Sequence, residues 1–169
     1  MATTPDKPKV YVESSTISYL TARPTEEPIR KAKQILTKQW WEQRDCYELF
    51  VSRVIVEEIE RGDKSAADLR VDSIQGIQFL QPNTDSERLT RGLLESGAFP
   101  RNVEMDASHV ALAAVHGMNF VVTWNQRHIA SNAKRLQIEA IIQGFGFQPP
   151  RLVTPEQLLL EMEKTDDTH

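Results

Sequence analysis

Asn119-Phe120-Val121-Val122-Thr123 is the stretch on which the reading of the fold turns. Its centre is an unbroken apolar run with no polar alternation, and such runs belong to strands covered on both faces, as in parallel sheets. Just before it, Val103–His116 reads as a helix, with Val110, Ala113 and Ala114 on one side and Gly117 as its stop. Just after it, Ser131–Gln143 reads as another helix. A buried strand set between two helices is the repeating unit of an α/β domain. Towards the amino terminus the same alternation continues. Lys9-Val10-Tyr11-Val12 is a short β-rich run ending at Glu13-Ser14-Ser15, followed by a brief helix at Thr16–Leu20. Pro24 and Pro28 mark a loop. Ile29, Ala32, Ile35, Leu36 and Trp40 then recur at helical spacing and predict an amphipathic helix to about Asp45. Tyr47–Ser52 and Ile77–Leu80 read as strands; Val54–Arg61, Ser65–Ile74 and Asp85–Ser96 read as helices. Towards the carboxyl terminus, Gly144, Gly146 and Pro149-Pro150 precede a last helix. Thr154 is its N-cap and Pro155 its first residue. The class expected is α/β with a central, mostly parallel sheet.

Composition bounds what such a chain can be. It has 169 residues, 40% hydrophobic and 26% charged, the ordinary balance of a globular protein with one core. No apolar run reaches the ~20 residues of a membrane span. The first residues are polar and contain Pro5 and Pro8, so no secretory signal is expected. Cys46 is the one cysteine, which excludes an internal disulfide and a Cys-based zinc site and suits a reducing cytoplasm. The expected layout is a disordered tail at 1–8, a single domain at 9–163 and an acidic tail at 164–169. The formal charge of −4 comes from the carboxyl end, where five acids from Glu156 onward face Lys164 alone. Two stretches are purely basic: Arg30, Lys31, Lys33 and Lys38, and later Arg127, Lys134 and Arg135. A polyanionic ligand is therefore compatible with the overall acidity, because phosphates respond to local fields.

Open parallel sheets bind ligands beyond the carboxyl ends of their strands. The polar residues expected there are few. Glu13 ends the first strand, Glu57 and Glu58 sit in the helix after the second, and Asn125 follows the last buried strand. Asp106 opens an otherwise apolar, small-residue helix that must be buried. Two carboxylates ~4 Å apart repel by about 4 kcal/mol at an effective dielectric of ~20. Three converging acids must then take up protons or a cation. Mg²⁺ or Mn²⁺ suits an oxygen-rich set, and metal-assisted hydrolysis is the chemistry it supports. His109 reads as a packed or hydrogen-bonded histidine, with the orienting of a carboxylate or phosphate as the alternative, and His116 reads as a helix-end histidine. Cys46 reads as an idle thiol, and one of Trp40 and Trp41 as core. No Gly-rich phosphate loop, HExxH or GxSxG occurs.

Four segments in this order resemble the successive motifs of PIN domains, most closely the VapC-like toxins of toxin–antitoxin pairs. They are Val10-Tyr11-Val12-Glu13-Ser14-Ser15, Ser52 to Glu58-Ile59, Asp106-Ala107-Ser108-His109-Val110-Ala111, and Thr123-Trp124-Asn125-Gln126-Arg127-His128-Ile129. The resemblance spans about Lys9 to Leu160. It implies a three-layer α/β/α sandwich, Mg²⁺- or Mn²⁺-dependent endoribonuclease activity, homodimerisation and inhibition by a cognate antitoxin. It implies Glu13, Glu58 and Asp106 as the metal-holding acids, with Asn125 where many members carry a fourth acid. Glu57 is the register alternative to Glu58. Ser14 or Ser15 would order the site, and Arg127 or the basic residues at 30–38 would hold RNA. Glu13 stands where Asp is usual, one methylene longer, and Asn125 removes one negative charge. A catalytically weakened or inactive PIN-like module, acting through RNA or protein contacts, is the alternative. A phosphate-handling receiver would want adjacent acids at the first strand's end, where this chain has Ser14-Ser15 after Glu13.

Overall fold

The computed structural model describes residues 6–167. Five strands build one sheet: β1 (Lys9–Val12), β2 (Glu48–Ser52), β3 (Gln78–Leu80), β4 (Phe120–Val122) and β5 (Arg151–Val153). Eight α-helices are found among the described residues. They are α1 (Ser14–Thr21), α2 (Pro28–Glu42), α3 (Arg53–Ile59), α4 (Lys64–Ser73), α5 (Thr84–Glu95), α6 (Glu104–Val115), α7 (Arg135–Gly144) and α8 (Pro155–Asp166). The strand order is β3-β2-β1-β4-β5, and every neighbouring pair is parallel. The helices cover the sheet as a three-layer α/β/α sandwich.

The order places β1 at the centre. From β1 the chain builds outward through β2 and β3 on one side, then crosses back to build β4 and β5 on the other. The gap between the carboxyl ends of β1 and β4 is therefore the switch point where ligands bind in open α/β sheets. Register makes it tight. Val12 lies opposite Val122, so the next residues, Glu13 and Thr123, leave the sheet side by side. Val10, Tyr11, Val12, Val121 and Val122 are fully buried, as strands covered on both faces require. Each such side chain contributes roughly 1.5–3 kcal/mol of burial energy.

Helix α6 behaves as its composition dictates. Ala107, Val110, Ala111, Leu112, Ala113 and Ala114 are all buried, so the helix has apolar contact on several sides and small residues that let it approach its neighbours. The last helix is opened as expected: Thr154 accepts from the Gln157 N–H, and Pro155 stands at the first position.

Two features differ from expectation. The sequence reading has no strand between Pro149-Pro150 and the last helix; β5 lies there and pairs with β4 at the sheet edge. On α2 the apolar positions Ile29, Ala32 and Ile35 are exposed, and the buried face is Gln34, Thr37 and Trp40. There Gln34 Nε2 donates to the Arg23 carbonyl and Thr37 Oγ1 accepts from Trp124 Nε1, so polar groups find partners under the helix. Cys46 lies in a 3-10 turn (Arg44–Cys46) and is exposed. The expected tail at 1–8 lies in part outside the described residues, as do the last two positions. Lys164 to Asp166 are helical, within α8. Among the described residues no helix is long and apolar enough to cross a membrane.

Candidate functional site

Glu13 is only 4% exposed and is the N-cap of α1. Its carboxylate is held from several directions. Oε1 accepts from Ser14 Oγ at 2.7 Å. Oε2 accepts from the Ser15 N–H at 3.1 Å, from Ser15 Oγ, and from Thr123 Oγ1 at 2.6 Å. Thr123 in turn accepts from the Asn125 N–H, and Ser15 Oγ accepts from the Trp124 N–H. Helix capping alone explains one of these bonds. Three hydroxyls on a single buried carboxylate go beyond capping: they satisfy its oxygens and fix its orientation.

Glu58 projects from α3, while Glu57 beside it is exposed. One oxygen of Glu58 lies 2.6 Å from His109 Nε2. His109 is fully buried on α6, and its other ring nitrogen, Nδ1, lies 2.6 Å from the Tyr11 hydroxyl. That hydroxyl also lies 2.7 Å from Ser52 Oγ. A continuous chain of hydrogen bonds thus runs from Ser52 through Tyr11 and His109 to Glu58, drawing on β1, β2, α3 and α6. Burial pushes the Tyr11 hydroxyl well above its ordinary pKa, so it stays protonated. Burial alone would lower the pKa of His109. The hydrogen bond and charge of Glu58, assisted by Glu13 and Asp106, outweigh this and raise it.

Glu13, Glu58 and His109 offer ligand atoms that all lie within 4.8 Å of one another, close enough to hold a metal ion. Two carboxylates therefore meet at the switch point. The third residue of this tightest group is not Asp106 but His109, expected as packed or hydrogen-bonded and not as a ligand. Both nitrogens of His109 are engaged, so the imidazole serves Glu58 as a counter-charge and orienting partner in this arrangement. This is the role that a ligand's own hydrogen-bond partner plays in metal sites.

Asp106 stands one turn before His109 on α6 and is half-buried. Burial raises its pKa, and the charge of Glu13 adds to the rise. A hydrogen bond from the Asn125 side chain and the charges of His109 and His128 oppose it. Its carboxyl is therefore within electrostatic reach of Glu13 and His109 while standing outside the tightest ligand group. Asn125 is oriented as a donor towards Asp106, because its Oδ1 accepts from the His128 N–H at 3.0 Å. The carbonyl oxygen expected to help hold a cation is thus engaged in a turn. Of the basic residues at 30–38, Lys33 reaches Trp124, with Nζ 5.4 Å from the Trp124 ring centroid and 5.7 Å from that of Tyr19. Arg127 is exposed on the turn after Asn125 and lines a separate cavity.

Thr123, Tyr11 and Ser52 are site residues that the sequence reading missed. Thr123 carried a signal: a hydroxyl one residue past a buried strand, at the same level as Glu13. No family model matches this chain, and no curated protein matches it.

Proposed function

We propose that the chain is a Mg²⁺- or Mn²⁺-dependent endoribonuclease of the PIN/VapC-like type, hydrolysing RNA phosphodiester bonds. One observation carries the reading. Two carboxylates, one of them buried, and an imidazole that serves as their counter-charge offer ligand atoms within 4.8 Å of one another at the sheet's switch point. Structural carboxylates rarely accept this arrangement without a ligand to justify it. The donor set fits a hard cation. Glu13 Oε1 carries a single hydrogen bond, one Glu58 oxygen is not needed by His109, and Asp106 adjoins with a carboxyl that burial drives towards protonation.

Glu13, Glu58 and Asp106 would hold the ion, and it would supply charge against a phosphodiester oxygen and acidify an attacking water. The chain's own residues do the rest. Ser14, Ser15 and Thr123 hold Glu13 in one orientation, His109 fixes Glu58, and Asn125 anchors Asp106. Lys33 and Arg127 lie where they can meet phosphates. The exposed Ile29, Ala32 and Ile35 on α2 support the reading that this face is covered by a second copy or by an antitoxin.

The test is cleavage of a mixed RNA pool by purified protein with Mn²⁺, Mg²⁺ or EDTA. Cleavage with either metal, lost in EDTA and in Asp106→Asn, is the expected result. Cleavage that continues in EDTA overturns the reading, and cleavage with metal that survives Asp106→Asn removes that residue from it. The engaged carbonyl of Asn125 favours one second reading, a weakened PIN-like module that binds RNA or protein with little turnover.

A further inference from the structure

We propose that a basic cavity joined to the acidic pocket through the Asn125 turn is a phosphate subsite for one nucleotide. The cavity has a volume of about 440 Å³, within the roughly 300–1,000 Å³ of small-ligand pockets. Arg101 from the loop before α6, Arg127 and His128 from the turn after β4, and Lys134 at the start of α7 all line it. Glu95 is the acid in its lining. No carboxylate among the described residues lies within 4.0 Å of Arg101, Arg127 or Lys134. Three unpaired cations gathered into one concavity around a single acid repel one another, and an anion relieves that repulsion. Guanidinium groups favour phosphate in particular, because their planar donors match its oxygens. Leu94 and Pro100 add partly accessible apolar surface to the same lining, suited to a base or ribose.

Position gives the cavity its partner. The His128 N–H donates to Asn125 Oδ1, and the Asn125 side chain holds Asp106, so Asn125 alone links the cavity's His128 to Asp106. A strand whose reacting phosphate meets the acids, through their cation, brings an adjacent phosphate to the arginines. The inference rests on the reading of the acidic pocket as an RNA site. The phosphate is either an internal diester or a terminal monoester of the strand; its chemistry towards these side chains is the same.

The experiment is done on the full chain in EDTA, where no cleavage intervenes. AMP is titrated and followed by amide chemical shifts. Two oligoribonucleotides of one sequence, bearing a 5′-phosphate or a 5′-hydroxyl, are titrated by fluorescence anisotropy. AMP should shift the amides of Arg101, Arg127 and Lys134. Arg101→Gln and Lys134→Gln should each weaken AMP and RNA about five- to tenfold, and should lower the salt slope of RNA binding by about 0.7 per cation removed. Lys64→Gln, at the start of α4 away from this cavity, should bind as wild type does. Tighter binding of the phosphorylated strand identifies a terminal phosphate; equal binding identifies an internal one. Affinities within twofold of wild type in both cavity variants, or AMP shifts confined to other residues, overturn the proposal. A chain that binds AMP here but cleaves no RNA with metal loses the nuclease reading alone, and one that cleaves RNA without this binding loses the subsite alone.

Discussion

Replacing Glu58 by Gln removes one charge from the acidic pocket while leaving an oxygen to accept from His109. The Nε2 to Oε1 separation is 2.6 Å, so the charge centres lie about 4 Å apart, an attraction of about 4 kcal/mol at an effective dielectric of ~20. Repulsion between Glu58 and Glu13, whose charge centres lie farther apart, is about 3 kcal/mol on the same scale. Attraction therefore wins by about 1 kcal/mol. Exchanging a charge-assisted hydrogen bond for a neutral one costs about 1 more. The net loss of about 2 kcal/mol corresponds to about 6 °C in Tm for a chain of this length. Its pH dependence follows from His109, whose pKa is raised in the folded state. The pair's stabilisation is complete below the unfolded value near 6.5 and is lost as pH rises through the higher folded value. Thermal unfolding in EDTA should therefore show the full deficit of Glu58→Gln at pH 6 and a reversal of sign by pH 9, where a neutral His109 leaves only the repulsion of Glu13 for the substitution to relieve. Mn²⁺ at a hundredfold its Kd should raise the wild-type Tm by about 8 °C, from about 2.7 kcal/mol of linkage, and the variant's by far less. A variant as stable as wild type at pH 6 would refute the claim that this pair neutralises the pocket.

Tyr11→Phe leaves His109 Nδ1 and Ser52 Oγ, both buried, without their common partner. It should cost about 1–3 kcal/mol, or about 3–9 °C in Tm; an unchanged Tm would show that the hydroxyl is not the partner they depend on. Asn125→Asp places a second carboxylate against Asp106 and removes its donor. In EDTA the Tm should fall by a few degrees, whereas Mn²⁺ affinity, followed calorimetrically, should rise; weaker Mn²⁺ binding would remove Asp106 from the cation site. New RNA cleavage in that variant, where wild type has none, would identify the natural chain as the weakened form. Ile35→Asp on the exposed face of α2 should shift the sedimentation coefficient from dimer to monomer; a value equal to that of wild type shows that no second copy covers that face.

The sheet was readable because β1 and β4 are apolar on both faces, a pattern that only burial from both sides explains. β5 was not, since Arg151-Leu152-Val153 is too short to show a period and becomes a strand only through its pairing with β4. Helix α2 misled for a related reason. Its strongest apolar spacing marks the exposed side, and the buried side is held by Gln34 and Thr37, whose partners come from distant segments. At the site, acids at a strand end and at a helix start stood out because they break apolar runs. His109 did not, because one buried histidine in an apolar helix is ordinary until Tyr11 and Glu58 are seen on its two nitrogens. The role of Asn125 also depended on tertiary structure, since only the turn shows which end of its amide is free.

The hydroxyl of Thr123 reaches Glu13 across 110 positions of chain, and β1 cannot acquire β4 until that much has been synthesised. Until β4 has emerged, the nascent polypeptide carries β1 with one flank bare and Glu13 without its far anchor. Any cation chemistry of this pocket is thus withheld until β4 has been made, and fragments that end before residue 120 should be inert however well their first strands pair.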